Sequence, residues 1–169
     1  MRAIALNHLN RVKEAIAATE QARECCKEDE AWRIDLLEAD IYLQCKQKKI
    51  AEYYFTRALE KSPEKPETLF NIAVSHSYSG YNDAAIDLFN DVWTICGTQE
   101  GKFVVPHLAN CYLQKNDMEN FLSYLKLAPF CDRETTQLLF HERFPGIAPE
   151  EYYAYAYKEI HGVFPPNNL

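Results

Sequence analysis

The sequence is poor in the residues that interrupt regular structure: its 169 residues include only 5 glycines and 8 prolines. All-β proteins need many tight turns, and phosphate-binding loops need closely spaced glycines, so both classes are disfavoured. No stretch approaches the roughly 20 apolar residues of a membrane span. Hydrophobic residues nevertheless make up 47% of the chain, so the composition predicts a folded globular protein with a substantial core.

Positive charge is scarce over much of the chain. Residues 1–65 are balanced, whereas residues 66–169 carry the entire net charge of -7, and no Lys or Arg stands between Pro66 and Gly101. A nucleic-acid interface needs clustered Lys and Arg to neutralise phosphates. We therefore expect a protein or peptide partner, basic or neutral rather than acidic, and neither nucleic acid nor a membrane.

The six cysteines have irregular spacings that match neither a disulfide framework nor a zinc site. Cys25 and Cys26 are adjacent, with no Cys-x-x-Cys or Cys/His spacing around them. The first residues lack the uninterrupted apolar stretch of a signal peptide. These patterns predict free thiols and a cytoplasmic location, without a metal or another cofactor.

Internal self-similarity is the strongest pattern in the sequence. A small residue, a large one four later and a small or branched one three further on recur at a spacing of 34 residues, which places them on one helical face. Small residues on a preceding helix recur in register, and they allow two helices to approach closely. The first series is Ala51, Phe55, Ala58 and then Ala85, Phe89, Val92. The second series is Ala39, Ala73 and Ala109, in which the last step is 36 residues and the two extra residues are assigned to a loop.

Turns between the paired helices are predicted at four positions, Asn10, Lys46, Gly80 and Asn116. Three of the four are Gly or Asn, which tolerate the left-handed conformation that commonly ends a helix. The pattern therefore predicts antiparallel helix pairs whose apolar faces are buried by stacking on neighbouring pairs.

These residues resemble the tetratricopeptide repeat (TPR) family, most closely over residues 32–96. The resemblance implies an all-α fold, an α-α superhelix in which antiparallel helix pairs form a TPR-like solenoid. We assign residues 1–130 to the repeats: a partial one at 1–29 and others at about 30–64, 65–98 and 100–130. Two positions depart from the pattern: Phe121 replaces a small residue, and Pro106 makes its helix start late or bend.

Residues 131–163 do not follow the repeat, and we expect a C-terminal capping helical pair there, followed by a tail at 164–169. Asp132 is placed to cap a helix running to about Arg143. Pro149 suits a first helical turn and Gly162 a helix end. The second of these helices carries four tyrosines, which either cap the repeats or bind a partner: Tyr152, Tyr153, Tyr155 and Tyr157.

Catalytic and metal-binding motifs are not found in the sequence. The five histidines are scattered, and His76 replaces a packing tyrosine of the repeat, which favours an interior histidine over a metal ligand. Asp83, Asp87 and Asp91 recur every four residues on one helix, and we interpret them as a solvated face. We therefore expect the protein not to be an enzyme.

The resemblance implies a concave groove, lined by the first helix of each pair, that binds a peptide or helix of a partner. Chaperone-binding members of the family grip a terminal carboxylate there, but Asp40 would repel one and only Asn71 fits that pattern. The groove candidates are Arg33, Asp40 and Gln44, then Phe70, Asn71, Ser77 and Tyr78, then Asn110 and Gln114.

Two functions follow from this reading of the sequence. The first is a non-catalytic protein–protein interaction module that binds through the groove. The alternative is a structural or self-associating scaffold segment of a larger repeat array, suggested by the apolar residues Ile4, Leu6 and Leu9 near the start.

Overall fold

The computed structural model describes residues 12–166, and within that range the chain is helical and contains no β-strand. Short 3-10 turns at Glu28–Glu30, Gly101–Val104 and Pro149–Glu151 precede three of the helices. The all-α prediction is therefore confirmed. The helices are α1 (Val12–Cys25), α2 (Ala31–Gln44), α3 (Lys48–Lys61), α4 (Lys65–Tyr78), α5 (Asn82–Glu100), α6 (Val105–Gln114), α7 (Met118–Cys131), α8 (Arg133–Phe140) and α9 (Tyr152–His161).

The chain divides into two compact units, Met1–Tyr81 and Asn82–Leu169. The described part of the first unit holds α1 to α4, and that of the second holds α5 to α9. The boundary falls inside the repeat assigned to 65–98, between its two helices. No described helix is both long enough and apolar enough to cross a membrane.

The first unit is built around α2, which packs against α1, α3 and α4. Ala39 on α2 and Ala51 and Ala58 on α3 are fully buried, and these small side chains let the two helices approach closely. Phe55, the large residue of the repeated pattern, is also buried. The alanine spacing read from the sequence thus coincides with the packed faces of this helix pair.

The second unit has its main core where α7, α8 and α9 meet α6. Phe121, the residue that departs from the repeat, is fully buried, and its ring centroid lies 6.0 Å from that of Phe140 on α8. Tyr152 and Ala156 on α9 complete this cluster. Residues outside the repeat pattern therefore supply much of this cluster.

Three of the four predicted turns have left-handed backbone: φ is 61° at Lys46, 80° at Gly80 and 59° at Asn116. The same pair of backbone hydrogen bonds closes each turn; after α2, Lys46 N donates to Leu43 O and Gln47 N to Tyr42 O. The same bonds recur after α4 and α6 at spacings of 34 and 36 residues. The fourth predicted turn, at Asn10, lies outside the described residues.

The helix ends of the C-terminal part also follow from single residues. Asp132 caps α8, since its Oδ1 accepts a hydrogen bond of 3.0 Å from Thr135 N, although the helix ends at Phe140 rather than near Arg143. Gly162 ends α9 with φ of 77°. Pro149 lies in the 3-10 turn that leads into α9.

Pro106 is accommodated by a late helix start rather than by a bend. It is the second residue of α6, where no helical hydrogen bond is needed from its nitrogen. The preceding break lies at Gly97, whose φ of 81° and ψ of 168° interrupt α5. The two extra residues of the 36-residue spacing fall in this region.

Gly101 offers a test of packing in the second unit, because a Cβ built there would lie 2.9 Å from Cα of Trp93. Backbone cannot move aside cheaply, so we expect Gly101→Ala to lower the free energy of unfolding by about 1–3 kcal/mol. Urea titration followed by tryptophan fluorescence measures this loss. The exposed neighbour Gln99 supplies the control, since Gln99→Ala should change stability by less than about 0.5 kcal/mol. Equal stability of Gly101→Ala and the parent chain would contradict the close approach of Trp93.

Candidate partner-binding cleft

The first unit contains an open cleft of about 580 Å³ between α2 and α4, which we call the α2–α4 cleft. Asp40 and Gln44 are one turn apart on α2, so they share a face of that helix. The α4 wall shows the i, i+3, i+4, i+7 spacing of one helical face. The lining residues are Asp40, Gln44 and Lys46 on one side and Asn71, Val74, Ser75, Tyr78 and Ser79 on the other.

Four of the nine groove candidates line this cleft: Asp40, Gln44, Asn71 and Tyr78. The other five do not. Arg33 lies two turns before Asp40, with its guanidinium 5.1 Å above the ring of Trp32. Phe70 is half-buried, Ser77 is only 6% exposed, and Asn110 and Gln114 lie on α6 in the second unit.

Sequence reasoning missed four lining residues, Lys46, Val74, Ser75 and Ser79. The helical period could have predicted Val74 and Ser75, because these two positions complete the helical face that Asn71 and Tyr78 define. The neighbouring position Ser77 falls on the inner side of α4, where it is buried. Lys46 and Ser79 belong to helix ends, whose side-chain directions are not given by the periodicity.

Polar groups and one exposed aromatic ring face this cleft. Tyr78 is 73% exposed, so its ring offers apolar surface at the α4 wall. Asp40 is half-buried, and its Oδ2 accepts a hydrogen bond of 2.9 Å from Nε2 of Gln44. This bond fixes the carboxylate on the α2 wall.

Lys46 ties the helix ends together at one end of the cleft. Its Nζ donates a hydrogen bond of 2.7 Å to the carbonyl oxygen of Ser79 and lies 5.2 Å from the centre of the Tyr81 ring. The Lys46 side chain therefore joins the end of α2 to the end of α4. The Ser79 residue is 7% exposed, and its Oγ has no hydrogen-bond partner.

His76 lies on the buried side of α4. It is 5% exposed, its Nδ1 lies 2.8 Å from the carbonyl oxygen of Ile72, and its ring packs between Phe55 and Tyr81. Burial lowers the pKa of His76, so the neutral ring is favoured. The sequence-based expectation of an interior histidine is confirmed.

A buried ionic cluster holds the α2 wall in place. Asp35 is fully buried on α2, and its Oδ1 accepts hydrogen bonds of 2.7 Å from both Arg23 on α1 and Arg57 on α3. The Arg23 guanidinium also bonds Glu38 at 2.8 Å, and Lys61 lies 3.8 Å from Asp35. Burial alone would lower the pKa of Arg23, but hydrogen bonds to Asp35 and the negative charge of Glu38 raise it overall.

The acidic residues that the sequence places every four positions on α5 are solvent-exposed: Asp83, Asp87 and Asp91. Asp83 forms an ion pair with Lys115. Within residues 12–166 no group of three or more His, Cys, Asp or Glu side chains is arranged to hold a metal ion. The six cysteines carry free thiols, as predicted.

The tyrosine-rich helix α9 divides its tyrosines between core and surface. Tyr152 is buried and stacks on Phe144 with ring centroids 4.9 Å apart. Tyr155 is 37% exposed, and its ring meets the tail residue Phe164 edge to face. A cavity of about 410 Å³ between α7 and α9, lined by Met118, Glu119, Leu122, Ser123, Ile160 and His161, contains none of these tyrosines.

Comparisons with protein-family models, with curated proteins and with solved structures gave no match.

Proposed function

We propose that this chain is a non-catalytic protein-interaction module of the TPR type, and that the α2–α4 cleft binds a peptide of a protein partner. The observation that carries the proposal is the cleft itself, since two helix faces combine there in an open concavity of about 580 Å³. Ligand sites are concave surfaces with a few well-placed polar groups, and this cleft has that character.

The side chains of the cleft suit a peptide better than a small apolar molecule. The amides of Gln44 and Asn71 each offer a donor and an acceptor, which match the peptide backbone. The exposed ring of Tyr78 supplies a rigid contact area at low entropic cost, as aromatic residues do in protein interfaces.

The repeat architecture is part of the same proposal. The recurrence of one left-handed turn, with the same hydrogen bonds, at spacings of 34 and 36 residues supports stacked helix pairs of a solenoid. The net charge of -7 favours a basic or neutral partner for the chain as a whole, while residues 1–65, which include the α2 wall of the cleft, are balanced. The free cysteines support a reducing compartment, the cytoplasm.

Selection from a random dodecapeptide phage library tests this function. We expect peptides enriched on the parent chain to lose binding to Tyr78→Ala, because that change removes the exposed ring of the cleft. Tyr53→Ala is the matched control: Tyr53 is 59% exposed on α3 in the same unit and does not line the cleft. Enriched peptides that bind both variants equally would place binding elsewhere, and a library without enrichment would overturn peptide binding.

A further inference from the structure

The charges of the α2–α4 cleft are arranged asymmetrically. Asp40 and Lys46 are the ionisable groups of opposite sign among its lining residues. The ammonium group of Lys46 is directed to the Ser79 carbonyl oxygen and the Tyr81 ring, so this positive charge serves to join the helix ends. The carboxylate of Asp40 stands on the α2 wall one turn before the end of the helix, where its Oδ2 accepts a hydrogen bond from Gln44.

Tyr78 lines the same cleft from the α4 wall and is 73% exposed to solvent. A carboxylate and an aromatic face that border one cavity are the two groups that recognise a cationic side chain. The carboxylate accepts charge-assisted hydrogen bonds, and the ring attracts a cation through its quadrupole. Arginine suits this pair better than lysine, because its planar guanidinium can stack on a ring while its edge donates to a carboxylate.

We infer that the α2–α4 cleft contains a subsite for an arginine side chain of an extended peptide, with the guanidinium donating to Asp40 and lying on the ring of Tyr78. This inference rests on the proposed function of the cleft and assigns it a specificity. Gln44 acts as a positioning residue, since its amide holds Asp40. Asn71 then lies beside the subsite on the α4 face, where it bonds the peptide backbone.

Two fluorescent pentapeptide mixtures test the subsite: both have random outer positions, and the middle residue is arginine in one and citrulline in the other. Citrulline keeps the shape of the side chain and removes its charge. We expect the arginine mixture to bind the parent chain about tenfold more tightly in fluorescence anisotropy, the size of an exposed ion pair combined with a cation–π contact. Asp40→Asn should reduce that preference to about twofold, since only the weak exposed cation–π contact remains.

The charge reversal Asp40→Lys sharpens the test, because it should favour a third mixture with glutamate at the middle position over the arginine mixture. Asp87→Asn, an exposed aspartate on α5, should leave every preference unchanged. Equal binding of the arginine and citrulline mixtures by the parent chain, or an arginine preference that stays near tenfold in Asp40→Asn, would overturn the subsite. If dodecapeptides selected through Tyr78 bind without an arginine, the cleft remains a peptide site and the inference alone fails. If no dodecapeptide binding depends on Tyr78, the proposed function fails with it.

Discussion

Replacing Asp35 by alanine is expected to lower the free energy of unfolding of the first unit by about 3–5 kcal/mol, the usual cost of removing one partner from a buried ion pair. Asp35 is fully buried and accepts hydrogen bonds from arginines on α1 and α3. Its loss leaves Arg23 and Arg57 partly buried around a vacated site, and α2 loses the group that joins it to both neighbours. The effect should therefore be far larger than that of a surface carboxylate.

The two tryptophans of the chain make this measurement specific to one unit. Trp32 is buried on α2 in the first unit and Trp93 lies on α5 in the second, so Trp93→Phe leaves a reporter for the first unit alone. Urea unfolding in that background compares Asp35→Ala with Glu60→Ala, an exposed carboxylate on α3. The control should change stability by less than about 0.5 kcal/mol. Similar small effects of both substitutions would show that the buried cluster does not hold these helices together.

Acidification from pH 7 to pH 5 is expected to cost the second unit about 2 kcal/mol of stability through His107. Burial lowers the pKa of His107 to about 4, against 6.5 for a free histidine, while nearby Asp132 opposes the shift. Its ring stacks on Phe89 with centroids 5.3 Å apart. Because the folded pKa is the lower one, the stabilisation is complete above pH 6.5 and is lost progressively as the pH falls towards 4.

His107→Gln isolates this contribution, since glutamine does not titrate in this range. In a Trp32→Phe background, which leaves Trp93 as the reporter, urea unfolding is measured at pH 7 and pH 5. The parent should lose about 2 kcal/mol more than the variant over this interval. The same pH dependence in both proteins would mean that His107 is accessible to protons in the folded state. Burial lowers the pKa of His76 as well, but His76 lies in the first unit, whereas the Trp93 signal follows the second.

The turns and the small packed residues could be predicted from the sequence because each depends on local geometry. Lys46, Gly80 and Asn116 stand where the helix period and the repeat spacing require a left-handed residue. Lysine has no preference for the left-handed conformation, so the turn at Lys46 was predicted only from the repeat spacing. A repeated pattern thus locates a turn even where the residue type is uninformative.

The ionic cluster could not be predicted, because it depends on which carboxylates of a helix turn inwards. Asp35 and Glu38 precede the repeated Ala39 and look like ordinary charged residues of an amphipathic helix, yet both are buried. Their burial is favourable only because Arg23 and Arg57 arrive from two other helices. No single-helix pattern contains that information.

The groove candidates and the lining of the α2–α4 cleft agree in part, and the differences have physical reasons. Asp40, Gln44, Asn71 and Tyr78 were found because residues at helical spacing share a face. Ser77 is one of the groove candidates, but it points into the packed side of α4, where it is 6% exposed. Asn110 and Gln114 lie on α6 in the second unit, so the α2–α4 cleft does not test their assignment.

Site-specific photo-crosslinking tests the central claim, that the α2–α4 cleft is a partner site, most directly. A benzoylphenylalanine introduced at the exposed cleft residue Asn71 is compared with one at Thr56, an exposed residue of α3 outside the cleft. After irradiation in an extract and mass spectrometry of the adducts, our account predicts a peptide attached at position 71, absent from position 56 and lost with Tyr78→Ala. Identical adducts at both positions, or adducts at 71 that persist in Tyr78→Ala, would contradict it.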